Sequence, residues 1–453
     1  MNFKSSREVR LLARMLAVLA LLFGVYELPL TRAQSQNTQN PSAVKQRIAQ
    51  GGAKSSKAVA TVNIPEGVSL ADGLAEDEAV AVALWNNATF NADLTALGFA
   101  RADLKEAGLL RNPVLSILFP IGPKQLEAVV NLPIELLWQR PKRVAAAKAN
   151  VGRVAESLEQ NALNLVRDVR LAYADVMLAQ DRAALAANVV ETRRPIPIIM
   201  EARFRVGDIS ELEMNAARIE ARTSEEEAAR LRREVPIVME RLRFLLGLSA
   251  EGTALEVMPA KIEPGVPENA EVLLRDAFAA RPDLRAAELA IEAAGKLAKW
   301  ERSKIFSVIA TLDINGRGTN GFEAGPGVAV DVPIFNRNQG GISRAEVEVE
   351  LALRQYVLVR QRIASEVLEA RAQLVQAREA LADIRERIMP PLEEDVRIWQ
   401  ASFKDGEVPY LFVLQNRQQL DAMRVREAEM RATLRRARVQ LDRSTGVSFG
   451  GKQ

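Results

Sequence analysis

The chain has 453 residues, 48% of them hydrophobic, and it contains neither histidine nor cysteine. Without them the chain has no imidazole base, thiolate nucleophile, disulfide or ordinary zinc site. The formal net charge of +3 resides within residues 1–33, so the remainder has no concentrated basic face for nucleic acid.

Residues 1–33 have the pattern of a secretory signal peptide. A cationic start precedes the apolar stretch Met15–Val25, and small residues follow near Ala33. The apolar stretch is too short to span a bilayer, so we expect cleavage near Ala33. A retained membrane anchor or a buried helix is the alternative. Residues 34–68 are rich in Gln, Asn and Ser, which predicts a flexible leader.

Three short motifs recur in the same order at an offset close to 200 residues. They are Val130–Ile134 with Val330–Ile334, Phe204–Asp208 with Phe403–Glu407, and Gly247 with Gly446. This order indicates a two-fold internal duplication. The first structural repeat covers 69–250 and the second 270–447, with a linker at 251–269 and a tail at 448–453.

Each repeat is predicted to contain a helix, two short strands and a long helical hairpin. Apolar and polar residues alternate with period two in the strands, which are predicted at 114–121, 126–136, 305–315 and 326–335. The polar positions of these strands are Glu127, Asn131, Glu135, Thr311, Asp313 and Asp331.

The hairpin helices carry the seven-residue apolar repeat of coiled coils. In the second repeat it runs from Ile342 to Ile388, which predicts a helix about 70 Å long. In the first repeat it runs from Val151 to Val176. Pro390 and Pro391 should interrupt the longer helix, and Pro195 with Pro197 mark the equivalent place in the first hairpin.

Alternation over about ten residues is what a transmembrane barrel strand requires. A soluble two-hairpin sheet packed on helices has the same pattern. Four strands cannot close a membrane barrel, whereas the strands of several copies could.

The sequence offers little for catalysis. It has no Gly-x-Ser-x-Gly motif and no Gly-rich phosphate loop ending in Lys-Ser or Lys-Thr. Long heptad helices also provide no obvious cleft for paired carboxylates. We therefore expect no enzyme activity, no resident cofactor and no metal site.

The repeat, the strand pairs and the helix-tip turns together resemble the TolC-like outer-membrane efflux family. The motifs that carry the resemblance are Ala107–Pro113, Val130–Ile134, Arg281–Leu284, Val330–Phe335, and aromatic-x-x-Gly at Phe204–Gly207 and Phe403–Gly406. The Ala-Gly-Leu-Leu-x-Asn-Pro run is most similar to the heavy-metal branch. The resemblance covers nearly all of the chain after the signal.

The resemblance implies a mainly α fold with a small β part: a long coiled-coil α-helical barrel and a transmembrane β-barrel shared in a homotrimer. It implies a passive exit duct in the cell outer membrane, extending into the periplasm, that carries small molecules or metal ions. The partners would be outer-membrane lipid, a periplasmic adaptor and an inner-membrane pump of the resistance-nodulation-division type. The adaptor would contact the hairpin tips at Phe204, Gly207, Ser210, Phe403 and Gly406.

The chain departs from the family pattern in two ways. It lacks the cysteine that anchors an acyl chain in many relatives. Aspartates that constrict the closed end in some relatives correspond to Phe412 and Gln415, so closure by Leu411 and Phe412 is the hypothesis for this chain. Near the same tip Glu393, Glu394 and Asp395 form either an acidic aperture patch or a solvated helix face.

Two other functions fit parts of the pattern. A secreted periplasmic helical adaptor or scaffold would also have long hairpins, but one hairpin and a Gly-rich β-domain are usual there. A channel for type I protein secretion belongs to the same family.

Overall fold

The computed structural model describes residues 64–65, 68, 73–119, 126–249, 255–258, 269–316 and 321–446. The predicted signal peptide 1–33, most of the leader 34–68, most of the linker 251–269 and the tail 448–453 lie outside these residues, as does the turn that the sequence Gly122–Lys124 predicts between the first two strands. The elements are α1 (Glu76–Asn86), α2 (Ala88–Gly108), β1 (Val114–Leu118), β2 (Leu126–Pro133), α3 (Leu136–Arg193), α4 (Ile196–Arg205), α5 (Glu211–Leu246), α6 (Ala270–Ala280), α7 (Pro282–Ser303), β3 (Val308–Gly316), β4 (Phe322–Val330), α8 (Gln339–Asp383), α9 (Met389–Lys404) and α10 (Tyr410–Thr445).

The predicted duplication is confirmed in the order and length of the elements. Helices α1 and α6 each have 11 residues, and α5 and α10 each have 36. The hairpins turn at glycines with positive φ, 80° at Gly207 and 77° at Gly406. The last helix of each repeat also ends at a left-handed glycine, Gly247 or Gly446.

Gly247 is also a point of close approach between helices. A Cβ atom added there would lie 2.3 Å from the carbonyl oxygen of Asn86, at the end of α1. The equivalent Gly446 faces Arg281, at the end of α6. In both repeats, therefore, the first short helix packs on the end of the hairpin, and at Gly247 a side chain would collide with it.

Helix α3 is the centre of the first core. Its predicted apolar stripe is buried at Leu158, Ala162, Val169, Ala172 and Val176, and it packs against α1 and α5. Along its length α3 also contacts α2, α7 and α10. The helix therefore links both repeats.

The second core follows the α8 stripe. The predicted positions from Ile363 to Leu381 are buried against α6 and α10, with Tyr356 and Val359 packed at the margin. Ile388, the last predicted position, is exposed. The stripe ends earlier than predicted because the helix changes its winding before that residue.

This change is a π-helical turn over Ile384–Ile388. The amide of Met389 donates to the carbonyl of Ile384, five residues earlier. Pro390 and Pro391 have no amide hydrogen, and they lie in the first turn of α9, where none is needed. In the first hairpin α3 ends at Arg193 and Pro195 caps α4.

The four strands form one antiparallel sheet in the order β1-β2-β3-β4. Val114 lies opposite Asn131, Asn131 opposite Thr311, and Thr311 opposite Gly327. Strands of the two repeats thus pair at the centre of the sheet, through β2 and β3. Strands β1 and β4 are its two edges.

The predicted strand bounds are wrong at several ends. Strand β2 stops at Pro133 instead of residue 136, because the amides of Ile134 and Glu135 both donate to Val308 and α3 starts at Leu136. Strand β3 begins at Val308 instead of 305, because α7 continues to Ser303. Strand β1 ends at Leu118, short of the predicted residue 121.

Strand β4 runs over Phe322–Val330 instead of 326–335. Gly325, Pro326 and Gly327 resemble a turn in sequence. An edge strand tolerates a proline, because the missing amide would have faced solvent.

Within the described ranges, the helices are each either too short or too polar to cross a bilayer.

Glu366 joins two buried arginines where α6, α8 and α10 meet. Arg281, whose side chain is fully buried, donates to Glu366 at 2.5 Å and to Asp283 at 2.5 Å. Arg443 binds the same oxygen of Glu366 and donates to Asn164 of α3 at 3.0 Å. This cluster connects the second repeat to α3.

The pKa values of the two arginines are shifted in opposite directions. Burial lowers the pKa of Arg281, but hydrogen bonds to Asp283 and Glu366 outweigh burial and raise it overall. Burial and the nearby charge of Arg281 lower the pKa of Arg443. Both remain protonated, so both depend on the charge of Glu366.

We predict that Glu366→Gln destabilises the protein by about 3 kcal/mol, because removing one partner leaves buried charge uncompensated. The midpoint of thermal unfolding of the detergent-purified protein should fall. Glu369→Gln is the matched control, because Glu369 is exposed one turn away on α8. Equal midpoints for the two variants would contradict the prediction.

Candidate functional sites: the sheet faces and the hairpin tips

The sheet has one apolar face and one face, called the polar face here, that carries the charged and amide side chains together with apolar residues such as Val114 and Leu118. Residues opposite one another on antiparallel strands share a face, so the register decides which side chains lie together. Four of the predicted polar positions, Glu127, Asn131, Thr311 and Asp313, share one face. The neighbouring residues Ala128, Val130, Leu312 and Ile314 share the other face.

The structure adds Asn315 and Glu323 to the polar face. Asn315 lies opposite both Glu127 and Glu323, and its side-chain amide donates to Asp313 at 3.0 Å. Glu323 escaped the sequence analysis because β4 was predicted to start at 326. Asn315 follows Asp313 by two residues, so the same alternation could have identified it.

Gly327 has a packing role on this face. A Cβ atom there would lie 2.6 Å from the hydroxyl oxygen of Thr311. The glycine therefore leaves room for the Thr311 side chain.

Two predicted polar-face residues lie beyond the strands. Glu135 precedes the first residue of α3 and is 6% exposed. Asp331 follows the end of β4, where its amide donates to the carbonyl of Ser307 at 3.1 Å. Their assignment to strands is therefore wrong, because the chain leaves the sheet before it reaches either residue.

The apolar face is exposed in the single chain. Leu115 and Ile117 of β1 and Val328 and Val330 of β4 are each more than half exposed. Among the described residues, the extensive contacts of β1 and β4 are with their neighbouring strands, and these four side chains remain exposed. This surface would be unfavourable in water.

Both hairpin tips are closed by the same backbone motif. In the first tip the amides of Gly207 and Asp208 donate to Phe204 and Arg203. In the second the amides of Gly406 and Glu407 donate to Phe403 and Ser402. These paired bonds form the Schellman motif, which ends a helix at a left-handed glycine.

Ser210 starts α5 with a capping box. Its hydroxyl accepts from the amide of Glu213 at 3.2 Å, and the Glu213 carboxylate accepts from the amide of Ser210 at 3.0 Å. The predicted residue at the tip thus sets the direction of the returning helix.

The two tips pack on each other. Met200 and Ala217 of the first hairpin and Tyr410, Val413 and Leu414 of the second form one buried cluster. The tips are therefore one structural unit within the chain.

The equivalent phenylalanines of the tips differ in their surroundings. Phe403 packs against Tyr410 with ring centres 5.6 Å apart, and the guanidinium of Arg203 lies 4.8 Å from the Phe403 ring centre. Phe204 is exposed. Burial raises the pKa of Tyr410, which lies inside the shared cluster.

An ion-pair group joins the hairpins above the tips. Arg193, at the end of α3, binds Glu220 of α5 and Asp421 of α10, the latter at 2.8 Å. Gln418 of α10 donates to Glu220 at 3.0 Å. Further along the seam Arg436 of α10 donates to Asp175 of α3 at 2.6 Å. Ion pairs and hydrogen bonds thus add to the apolar contacts that join the repeats.

The aperture candidates form two groups in the structure. Leu411, Phe412 and Gln415 are exposed at the start of α10, and Phe412 stacks on Trp399 of α9 with ring centres 5.5 Å apart. Glu393, Glu394 and Asp395 are exposed on α9. Glu393 accepts from Arg424 at 3.4 Å and Glu394 pairs with Arg397.

Among the described residues, no three histidine, cysteine, aspartate or glutamate side chains converge to hold a metal ion.

The sequence profile of the outer membrane efflux protein family matches residues 100–248 and 273–447. The chain belongs to the outer membrane efflux protein family. The matched ranges contain all four strands and both hairpin tips. Both the predicted resemblance and the predicted outer-membrane location are confirmed.

A curated relative is the cobalt-zinc-cadmium resistance protein CzcC of Cupriavidus metallidurans. It is 25% identical over 385 residues, which cover 82% of this chain and 89% of the relative. Solved structures with the same fold include the CusC channel, with a TM-score of 0.68 and 19% identity over 82% of this chain and 92% of that one. The outer membrane protein VceC of Vibrio cholerae has a TM-score of 0.67 and 17% identity over 83% of this chain and 97% of that one.

Family membership gives the protein its general function as an outer-membrane efflux channel. Members work with an adaptor and an inner-membrane pump. Membership also argues against the secreted adaptor or scaffold, because those proteins are the partners of this family.

Proposed function

We propose that the chain works as a homotrimeric passive duct whose copies complete one barrel from their four-stranded sheets. The observation that carries this proposal is the two-faced sheet with two open edges. An open edge presents unpaired backbone groups to another strand. Pairing of β1 in one copy with β4 in the next continues the antiparallel order and closes a ring after a fixed number of copies.

In this ring the polar face lines the lumen and the apolar face meets lipid, as in membrane barrels. Glu127, Asn131, Thr311 and Asp313, with Asn315 and Glu323, are the lumen residues of the proposal. The opposite arrangement would place carboxylates in hydrocarbon, at a cost of several kcal/mol.

The partner proteins bind at the helical end of the duct. The paired tips, with Phe204, Gly207, Ser210, Phe403 and Gly406, contact the adaptor, and a resistance-nodulation-division pump drives the transport. Support comes from the rigid turn geometry of both tips and from their common core. The duct spends no energy itself.

Metal ions are the cargo class that we favour. The curated relative is a cobalt-zinc-cadmium resistance protein, and the polar sheet face carries carboxylates. Small organic molecules remain the alternative cargo. Secretion of protein by a type I system is the other alternative within the family.

Membrane fractionation with crosslinking tests the assembly. A trimer extracted by detergent from the outer membrane is expected, because open sheet edges and an exposed apolar face require other copies and lipid. A soluble periplasmic monomer would contradict the duct, since four strands in one chain leave both edges open.

We predict that Phe412→Ala raises the leak conductance of the resting channel in planar bilayers. The proposal places Phe412 with Leu411 at the closed end, so truncation of its ring should widen the constriction. Phe244→Ala is the control, because Phe244 is also an exposed phenylalanine and lies near the far end of α5. An unchanged resting conductance for Phe412→Ala would refute apolar closure.

We predict that the open channel prefers cations modestly and that Glu127→Gln with Asp313→Asn reduces the preference. Carboxylates at the lumen wall attract cations, and symmetry multiplies each of them. Reversal potentials in a salt gradient measure the change. Asp331→Asn is the control, because Asp331 lies beyond the end of the strand. A wild-type channel without cation preference would contradict the assignment of these carboxylates to the lumen.

A further inference from the structure

Four strand–helix connections meet at one end of the sheet. Antiparallel order places the start of β1, the end of β2, the start of β3 and the end of β4 on the same side. We call residues 109–113, 134–143, 304–307 and 331–338 the junction belt; they comprise these connections and the first eight residues of α3. It lies between the exposed apolar sheet face and the long helices.

The belt exposes large apolar side chains from every connection. Phe335 is 91% exposed, Leu137 76% and Leu110 61%, and Phe306 is also exposed. These side chains continue the apolar surface of the sheet beyond the strands. An apolar surface that ends in aromatic and leucine side chains is typical of the boundary between acyl chains and headgroups.

The same belt is rich in cations. Arg111, Arg140, Lys142 and Arg337 are exposed on three of the four connections. Of the belt's two carboxylates, Glu135 is buried, and only Asp331 is exposed. The exposed charge of the belt is therefore positive.

Two of these guanidinium groups are held in place by backbone carbonyls. Arg140 donates from Nε to Gly108 at 2.7 Å, and Arg337 donates from Nε to Pro333 at 3.2 Å. Within the described ranges the Nη atoms of both arginines have no hydrogen-bond acceptor from the protein. Those atoms form the fork that binds phosphate oxygens.

We propose that the junction belt binds the phosphate groups of anionic phospholipids in the leaflet on the helical side of the sheet. This inference rests on the proposed function, in which the apolar sheet face meets lipid. Apolar side chains anchor the acyl boundary while the arginines and Lys142 bind headgroups in the same plane. A further copy of the chain from outside the trimer is the poorer occupant, because it would place a second positive belt against the first.

The test compares lipid selectivity at the surface of the full-length protein. Purified protein is reconstituted in vesicles of phosphatidylcholine with spin-labelled phosphatidylglycerol or spin-labelled phosphatidylcholine as the probe. The wild type should bind the labelled phosphatidylglycerol several-fold better. Since each basic residue at a membrane surface contributes up to about fivefold, the triple variant Arg140→Gln, Lys142→Gln, Arg337→Gln should lose most of that several-fold preference and bind the two labelled lipids about equally.

The control variant is Arg205→Gln, Arg222→Gln, Arg397→Gln, which removes three exposed arginines on the hairpins. It should keep the wild-type preference. An equal preference in the triple variant and the wild type would overturn the proposal. So would displacement of the labelled lipid by inorganic phosphate at matched ionic strength, because the site would then be a free-phosphate site.

Conductance in pure phosphatidylcholine separates this inference from the proposed function. The triple variant should still form trimers and conduct there. Loss of the trimer in the variant would assign the belt to contact between copies and overturn the lipid proposal. A wild-type protein that does not conduct in any lipid would instead contradict the proposed function as a duct.

Discussion

Burial of the apolar stripe of α3 is the interaction on which the rest of the structure depends. Ala162, Val166 and Val169 of this stripe are almost completely buried, and they hold α1 and α5 in the first core. Because α3 also contacts α7 and α10, the position of the second repeat follows from the same helix. A shift of its stripe would move the sheet at one end and the tips at the other.

The repeats share their backbone plan but differ in their side chains. Both hairpins end in the same glycine turn, yet Phe403 is packed beneath Arg203 while Phe204 is exposed. The hairpins are held to each other both by the apolar cluster at the tips and by ion pairs such as Arg193–Asp421. Charged contacts of this kind respond more strongly to salt and to substitution of one partner than buried apolar seams do.

The sheet is the part of the single chain that needs binding partners. Its exposed apolar face and its two edge strands both require partners that one copy cannot supply. The apolar face suits lipid and the polar face suits water and ions. The same alternation of apolar and polar residues therefore suits both insertion into a membrane and conduction of ions. The junction belt extends this division to the headgroup level, where Phe335 and Arg140 lie at the same end of the sheet.

The duplication, the helical class, the tip glycines and the polarity of the strands could be predicted from the sequence, because these depend on local periodicity and on residues with special φ angles. Glu127, Asn131, Thr311 and Asp313 were therefore predicted correctly as one face. The tertiary structure alone decided where elements end. Glu135 lies outside the sheet, where its amide donates to Val308. Glu323 lies within the sheet, because the edge strand β4 continues through Pro326 and begins at Phe322. It also decided that Glu366 lies between two arginines, Arg281 and Arg443, since ion pairing between residues so far apart in the chain follows from packing and has no periodic signal.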